Sequence, residues 1–450
     1  MRVNAADPAE QTPLDRRRAL PIFALVFVDI LGLTVILPLL HLYAAAFGAD
    51  PLRIALVIAA FPLAQLVGVP VMGALSDRYG RKPLLLISQA TTCLSFIMLG
   101  LATSLELVIL SRLLDGLFGA NLSTAQAALS DITDETNRTR GLGITGAAFG
   151  LGFIFGPVIA LLALEFSASL AAPAFTAAIY SFVSILVTAF LFEETHPPEL
   201  RGRGQQLWLS PLMILRYLLK PSLGILLLLM FAQQLIFFGY ESLLGLFTLT
   251  RLGFLGRGNA LLFLLIGLIL VTVQLRYIGR WSARLGDGRL ASLALGFLAL
   301  GLLLTATTPE APHPLYLRDL VERDLLSAQP SATEALIGEL SIALPAEAGR
   351  GFSGVAWLLF AIVPVSIGAG LIRPALNSLI TQRVPAGEYG RALGLSAALV
   401  SAANASAPLL AGLVFQQLGS SAPFLIGGLL MGGLCILSAL KSPRSPAGAD

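Results

Sequence analysis

Apolar runs of about twenty residues recur along the whole chain, separated by short polar turns. Wound as an α-helix, each run can cross a hydrocarbon layer of about 30 Å. Twelve spans are predicted, at roughly 19–47, 52–75, 83–103, 106–128, 140–164, 172–193, 221–249, 258–278, 290–308, 352–380, 391–416 and 421–440. The short alternating segments of a membrane β-barrel are not seen. Pro62, Pro70, Pro157, Pro364, Pro374 and Pro408 fall inside spans, where neighbouring helices can re-satisfy the backbone that a proline frees. The expected fold is an all-α membrane protein.

The turn after the second span is unusually charged: Gly73-Ala74-Leu75-Ser76-Asp77-Arg78-Tyr79-Gly80-Arg81-Lys82. A weaker copy follows the eighth span at 279–289, with Gly279, Arg284 and Gly286 matching Gly73, Arg78 and Gly80 at a shift of 206. Further along, Arg391, Gly394 and Pro408 match Arg140, Gly143 and Pro157 at a shift of 251. The repeat predicts two pseudo-symmetric six-helix bundles, 1–193 and 221–441. They are joined by a linker, 194–220, and followed by a tail, 442–450. Bundles joined this way can rock as rigid bodies. The linker ends in Trp208, Leu209, Leu212, Leu215 and Leu219, read as a helix lying in the membrane interface. The difference between the two shifts places an insert at 309–351, with seven acidic residues against three arginines. Two amphipathic helices are expected there: one presents Leu317, Leu320, Val321 and Leu325 on a single face, the other begins near Ser331 and Glu334. A packed cap, a lid and a docking site for another protein all fit this insert.

Composition agrees with the pattern. The chain is 56% hydrophobic and 12% charged, against about 25% charged for a soluble domain. Of 29 basic residues, 21 fall on the side of the chain termini, 6 on the other side, and two, Arg112 and Arg373, inside spans. The positive-inside tendency then puts both termini and the charged turn in the cytoplasm. The basic residues are spread loop by loop, not gathered into a nucleic-acid patch. Cys93 and Cys435 lie in spans, and His41, His196 and His313 lack metal-ligand spacing, so no metal or cofactor is expected. No nucleophile–base set and no phosphate-binding glycine loop suggest an enzyme.

Gly73 to Lys82 satisfies every fixed position of G-x-x-x-D-R-x-G-R-[RK], and the chain in this respect resembles the major facilitator superfamily. Arg112-Leu113-Leu114-Asp115-Gly116 is similar to that family's R-x-x-q-G element. Gly143, Gly152, Gly156 and Pro157 fit G-x8-G-x3-G-P-x2-G, characteristic of its drug:proton antiporters, with Ala160 at the last glycine. The opening Phe27-Val28-Asp29-Ile30-Leu31-Gly32, followed by Leu37-Pro38, looks like the tetracycline-efflux-like members. The resemblance implies a secondary transporter working by alternating access. It also implies a latch at the cytoplasmic turn, with Arg81 reaching Asp131, and a fifth span that seals the halves against leak.

Individual residues add chemistry. Gly80 suits the end of a helix because glycine takes left-handed backbone cheaply. Gly73 leaves room for a neighbouring helix, and Asp77 can face the positive N-terminus of span eleven, a contact of about 0.3–2 kcal/mol. Asp29 lies about 15 Å into the first span. A charge at that depth is costly unless paired or hydrated, so Asp29 is either a proton or cation carrier or a permanently paired group. Arg112 and Asp115 either neutralise one another or let the arginine, which keeps its proton, govern a carboxylate during proton transfer. In the second half Gln233, Gln234, Tyr240, Asn377 and Asn404 are expected to line a weakly polar cavity. Glu241 and Arg373 are read chiefly as snorkelling anchors.

The leading expectation is proton-coupled export of a moderately hydrophobic small molecule, from a monomer in a bacterial cytoplasmic membrane. Small-molecule substrate, protons and lipid are its partners, with a protein partner open at the insert. Proton-coupled import of a sugar or other nutrient, and a transporter-fold subunit or assembly factor of a membrane complex, are the alternatives.

Overall fold

The computed structural model describes residues 16–133, 138–167, 169–201, 216–217, 219–327, 341–385 and 389–441. The expected interfacial helix after Trp208, the second insert helix after Ser331 and the tail lie outside the described residues. Within them the secondary structure is helical, without a strand. Eleven helices are long and apolar enough to cross a membrane.

The first half holds α1 (Arg16–Ile36), α2 (Leu40–Ala46), α3 (Pro51–Tyr79), α4 (Arg81–Gly100), α5 (Leu105–Phe118), α6 (Asn121–Asp131), α7 (Arg138–Phe166) and α8 (Ala171–Leu191). The second half holds α9 (Pro221–Leu252), α10 (Gly256–Thr272), α11 (Ile278–Leu285), α12 (Asp287–Ala306), α13 (Arg318–Ser327), α14 (Ser353–Thr381), α15 (Tyr389–Leu418) and α16 (Ala422–Lys441). A π-helical turn, Val273–Tyr277, joins α10 to α11.

The boundaries follow local chemistry. The Asp50 carboxylate accepts from the Arg53 N–H (2.8 Å) and Pro51 takes the first position of α3, a favourable start. Gly80 and Gly286 stop α3 and α11 with φ of +104° and +75°, so the repeated turn keeps its backbone in both halves.

Two expected spans are not continuous. The first bends at 37–39, where Pro38 cannot donate to the helix, and resumes as α2. The fourth, expected at 106–128, is split: α5 and α6 are parted by Gly119 and Ala120.

Within the first half α1 packs on α7 and α8, α3 on α5, and α4 on α8. Within the second half α12 packs on α14 and α16, and α9 on α15. Between halves the main pairs are α3 with α15 and α7 with α10. Both pairs converge at the end away from the termini. Gly412 on α15 lies against Ala55 on α3, and Gly256 on α10 lies against Leu164, Leu39 and Leu42. Moving toward the terminus-bearing end, α10 and α7 still touch at Gly267–Phe153 and at Val271–Gly150. Beyond that, a side chain added at Gly146, Gly73 or Gly394 would meet nothing within 4 Å. The halves therefore form a wedge, sealed at one end and apart at the other.

The insert is anchored on the sealed end. Tyr316 is fully buried, its ring lies over Gly253, and its hydroxyl donates to the Pro345 carbonyl (2.9 Å). Helix α13 forms where the first amphipathic helix was expected, but its buried face is narrower. Val321 and Leu325 are buried, while Leu317 and Leu320 are exposed because they fall on the flank turned from the body. Helix α13 packs on α2, and Ser341 Oγ donates to the Gly48 carbonyl (2.8 Å), so the insert touches the first half of the chain.

Candidate functional site

The split in the fourth span organises a polar core inside the first half. Gly119 adopts an inverse γ-turn (φ −73°, ψ 60°), with the Ala120 N–H bonded to the Phe118 carbonyl at 2.8 Å. A side chain there would come within 2.3 Å of the Asp115 carbonyl, so glycine is required for space. The freed backbone groups find partners. Ser88 Oγ donates to the Phe118 carbonyl (2.5 Å) and accepts from Ala120 (3.2 Å), and Gln65 Nε2 donates to the Gly119 carbonyl (3.3 Å). Non-helical backbone at this depth is tolerated only when so enclosed.

The split also places Asn121 opposite Asp29. Asn121 Nδ2 donates to Asp29 Oδ1 at 2.8 Å. Asp29 is partly buried and borders a small void of about 10 Å³, room for roughly one water. Gln89, Thr92, Asn121, Ser181 and Ser184 supply its polar walls. Arg112 and Asp115 are both buried and paired (Nη1–Oδ2 3.3 Å), and the Arg112 guanidinium also lies 5.5 Å from the Phe96 ring centre. The three charges singled out in the sequence thus share one core, with Phe96 bordering both the void beside Asp29 and the Arg112 guanidinium. Asn121 and its neighbours escaped sequence reading because a single asparagine or serine in an apolar run carries no distinctive signal.

At the terminus-bearing end, Arg81 draws the charged turn together. Its Nε donates to Asp131 Oδ2 at 3.0 Å, and its Nη1 pairs with Asp77 and Ser76. The α4 N-terminus is capped by Glu194, which accepts from the Arg81 and Lys82 N–H groups (2.8 and 3.1 Å), as a carboxylate at a helix start should. Arg78 lies beside the Tyr79 ring. Among the described residues Asp77 pairs with Arg81 and with no residue of α15, and Gly73 faces open space. The separation of the halves at this end is the cause. The second half carries a matched clasp. Asp287, equivalent to Arg81 by the 206 shift, accepts from Ser378 Oγ (2.5 Å) and Gln382 Nε2 (2.9 Å), and Gln382 is equivalent to Asp131 by the 251 shift.

Gly152 and Gly156 on α7 lie against Ile30 and Thr34 of α1, too close for any side chain. Thr34 Oγ1 donates to the Gly152 carbonyl at 2.9 Å. Pro157 follows inside the helix and Ala160 is fully buried. Gly143 is helical at the start of α7. The glycines of the motif thus join α7 to α1, while Gly150 and Phe153 meet α10 across the halves.

In the second half the cavity expectation needs correction. Gln233 is buried and turns back to the Met230 carbonyl (3.1 Å), and Tyr240 is buried between Phe237 and Phe424. Both point into their own bundle, where ring burial outweighs exposure of one polar tip. Gln234 and Asn404 do meet, Nε2 to Oδ1 at 2.8 Å, and Asn377 is partly buried. Glu241 forms no hydrogen bond or ion pair with the described residues.

The sealed end holds a polar contact that sequence reading missed. His41 is buried in the cleft over Gly245 of α9, and Asn259 Nδ2 lies 3.2 Å from its Nε2. Thr248 Oγ1 donates to Asn259 Oδ1 at 2.6 Å. Arg257 and Glu165 pair outside it at 3.3 Å. Among the described residues no metal-binding group of acids, histidines or cysteines forms.

A family model described as Major Facilitator Superfamily matches residues 22–317 and 335–450. The chain belongs to that superfamily. Curated proteins similar to it include the tetracycline resistance protein, class B, of Escherichia coli, 27% identical over 431 residues and covering 93% of each chain. Multidrug resistance protein 2 of Bacillus subtilis (strain 168) is 23% identical, covering 94% of this chain and 95% of that protein. Among solved structures, the human organic anion transporter MFSD10 (TETRAN) superposes with a TM-score of 0.64 at 24% identity, covering 95% of this chain and 100% of that one. The nucleoside transporter NupG gives a TM-score of 0.65 at 13% identity, covering 94% and 97%. A superfamily member is a membrane transporter of small molecules, not an enzyme.

Proposed function

We propose that this transporter exports a moderately hydrophobic small molecule in exchange for protons, by alternating access, as a monomer in a bacterial cytoplasmic membrane. The observation that carries the reading is Asp29: a carboxylate deep in α1, held by Asn121 and opening on a polar void. A carboxylate so placed gains from shedding its charge, and hydration gives a proton a way in. Arg112, paired with Asp115 in the same core, sets the charge that Asp29 feels through Asp115. The bias of 21 basic residues toward the terminus-bearing side supports a cytoplasmic location for that end. The conformation is then closed outward and open inward. The clasp of Gly73, Asp77, Arg78, Gly80, Arg81 and Asp131 would engage α15 only when the halves swing together on the cytoplasmic side. Tetracycline and multidrug resistance relatives along nearly the whole length support export of an amphipathic compound.

The test uses the full chain in liposomes with an imposed proton gradient. Fluorescent amphipathic compounds and tetracycline are followed for the parent and for Asp29→Asn. Gradient-driven movement in the direction opposite to the protons, lost in the variant but with binding retained, is expected. Movement with the protons would establish import instead, and movement untouched by the variant would remove Asp29 from coupling.

A further inference from the structure

Two basic side chains sit inside apolar spans, and the fold treats them in opposite ways. Arg112 is buried and paired with Asp115. Arg373, on α14, makes no hydrogen bond, ion pair or ring contact with a described residue. Its side chain is nevertheless exposed.

An unpaired, exposed arginine on a helix face that is otherwise buried lines the cleft and not the lipid face. Its place on the helix agrees. Ile362 and Ser366, eleven and seven residues earlier, fall within about 20° of it on the helix surface, and both are fully buried. Phe360, 62% exposed, points about 140° away. The face that is packed shut near the sealed end is therefore open at Arg373, as the wedge between the halves requires.

Depth can be read from the helix contacts. Gly152 touches Ile30, Gly150 touches Val271, and Gly370 touches Val273, so these residues form one layer through the molecule. Asp29 belongs to that layer and Arg373 lies about 5 Å from it toward the terminus-bearing end. Gly354 touches Leu252 near the sealed end. Counting eighteen residues from that contact along each helix reaches Ile372 on α14 and Gln234 on α9. The Gln234–Asn404 amide pair thus lies at the depth of Arg373. That pair uses Gln234 Nε2 and Asn404 Oδ1 on each other. The Asn404 amide nitrogen bonds to no described residue and remains a donor.

Among the described residues no acid pairs with this cation. Asp29 is turned to Asn121. Glu241 is seven residues beyond Gln234 on α9, about 11 Å nearer the sealed end. A guanidinium in a confined, weakly polar cleft binds planar oxyanions through paired N–H donors. Stacked and edge-on phenylalanines, Phe27 with Phe155 and Phe149 with Phe153, lie on the layer and offer an apolar surface.

We propose that Arg373 recognises an anionic group on the transported molecule, assisted by the amide of Asn404, so that the substrate class is an amphipathic organic anion. This rests on the reading that the cleft between the halves is the transport path.

The test is equilibrium binding to the purified full chain in nanodiscs, read by fluorescence. The probes are 1-anilinonaphthalene-8-sulfonate and its neutral sulfonamide analogue. The sulfonate is expected to bind the parent more tightly than the amide. Arg373→Gln should weaken the sulfonate by roughly tenfold or more and leave the amide within about twofold. Arg373→Lys, which keeps the charge and loses the fork, should fall between; it also serves if the glutamine variant does not elute as a folded monomer. Equal weakening of both probes, an unchanged sulfonate affinity, or no preference in the parent would overturn the assignment. Arg373-dependent binding without gradient-driven movement would instead sink the export reading and leave the assignment standing.

Discussion

Asp29, Arg112 and Asp115 sit in one core, and their fates are linked. The Arg112–Asp115 pair is buried on both sides. Removing one partner of such a pair leaves an uncompensated charge and costs about 3–5 kcal/mol. Arg112→Gln should therefore lower the melting temperature in detergent sharply, and the double change with Asp115→Asn should recover most of the loss. Should the single variant melt like the parent, the pair is not a structural unit and Arg112 is free to act on Asp29 alone. These three charges were legible in the sequence because a charge in an apolar run stands out. Their surroundings were not: Asn121 and Ser88 look like ordinary polar residues until the fourth span is seen to break just before Asn121 and against Ser88. Arg373 was legible as an anomaly, but snorkelling and cavity lining leave the same mark on a sequence.

At the scale of an element, the break in the fourth span is the feature most tightly specified. Gly119→Ala would drive a methyl to 2.3 Å from the Asp115 carbonyl, which neither backbone can avoid without moving Asn121 off Asp29. Ser88→Ala would leave the Phe118 carbonyl without its hydroxyl donor and weaken the hold on Ala120, a cost of about 1–3 kcal/mol. Both variants should lose stability and gradient coupling together, measured as melting temperature and proton-driven flux on the same preparation. Gly146→Ala, which meets nothing, is the control and should melt at or slightly above the parent. Normal coupling in folded Gly119→Ala would show that the break does not position the Asp29 site. The spans themselves were read well because their length is set by the bilayer. The break was not, because its freed backbone groups are satisfied by Ser88 and Gln65, distant in sequence, and its glycine is chosen for space and not for a positive φ. The insert shows the same limit: apolar spacing located α13 but not how much of its face would find a neighbour.

For the molecule as a whole, transport needs two closures of similar stability at opposite ends. One is visible: His41 in the cleft of Gly245, bridged to Asn259 and Thr248. The other is visible only as its parts. Ala55 meets Gly412 at the sealed end. Eighteen residues along the same two helices, Gly73 and Gly394 face open space. Equal spacing on α3 and α15 means these two glycines would meet when the halves rock the other way. Gly394→Leu should then obstruct that second closure without disturbing the present one. Asn259→Ala should do the reverse, since it removes the amide that links α2, α9 and α10, a loss of about 1–3 kcal/mol for groups left unpaired. Spin labels at Tyr79 and Arg391, in a chain with Cys93 and Cys435 replaced by serine, report the open end by their separation. Against the parent, Gly394→Leu should reduce the short-distance population by roughly tenfold per 1.4 kcal/mol, and Asn259→Ala should increase it. Because one equilibrium links both ends, combining the two changes should return the distribution toward the parent. Unaltered distances in both variants would mean that neither contact sets the balance between the two states.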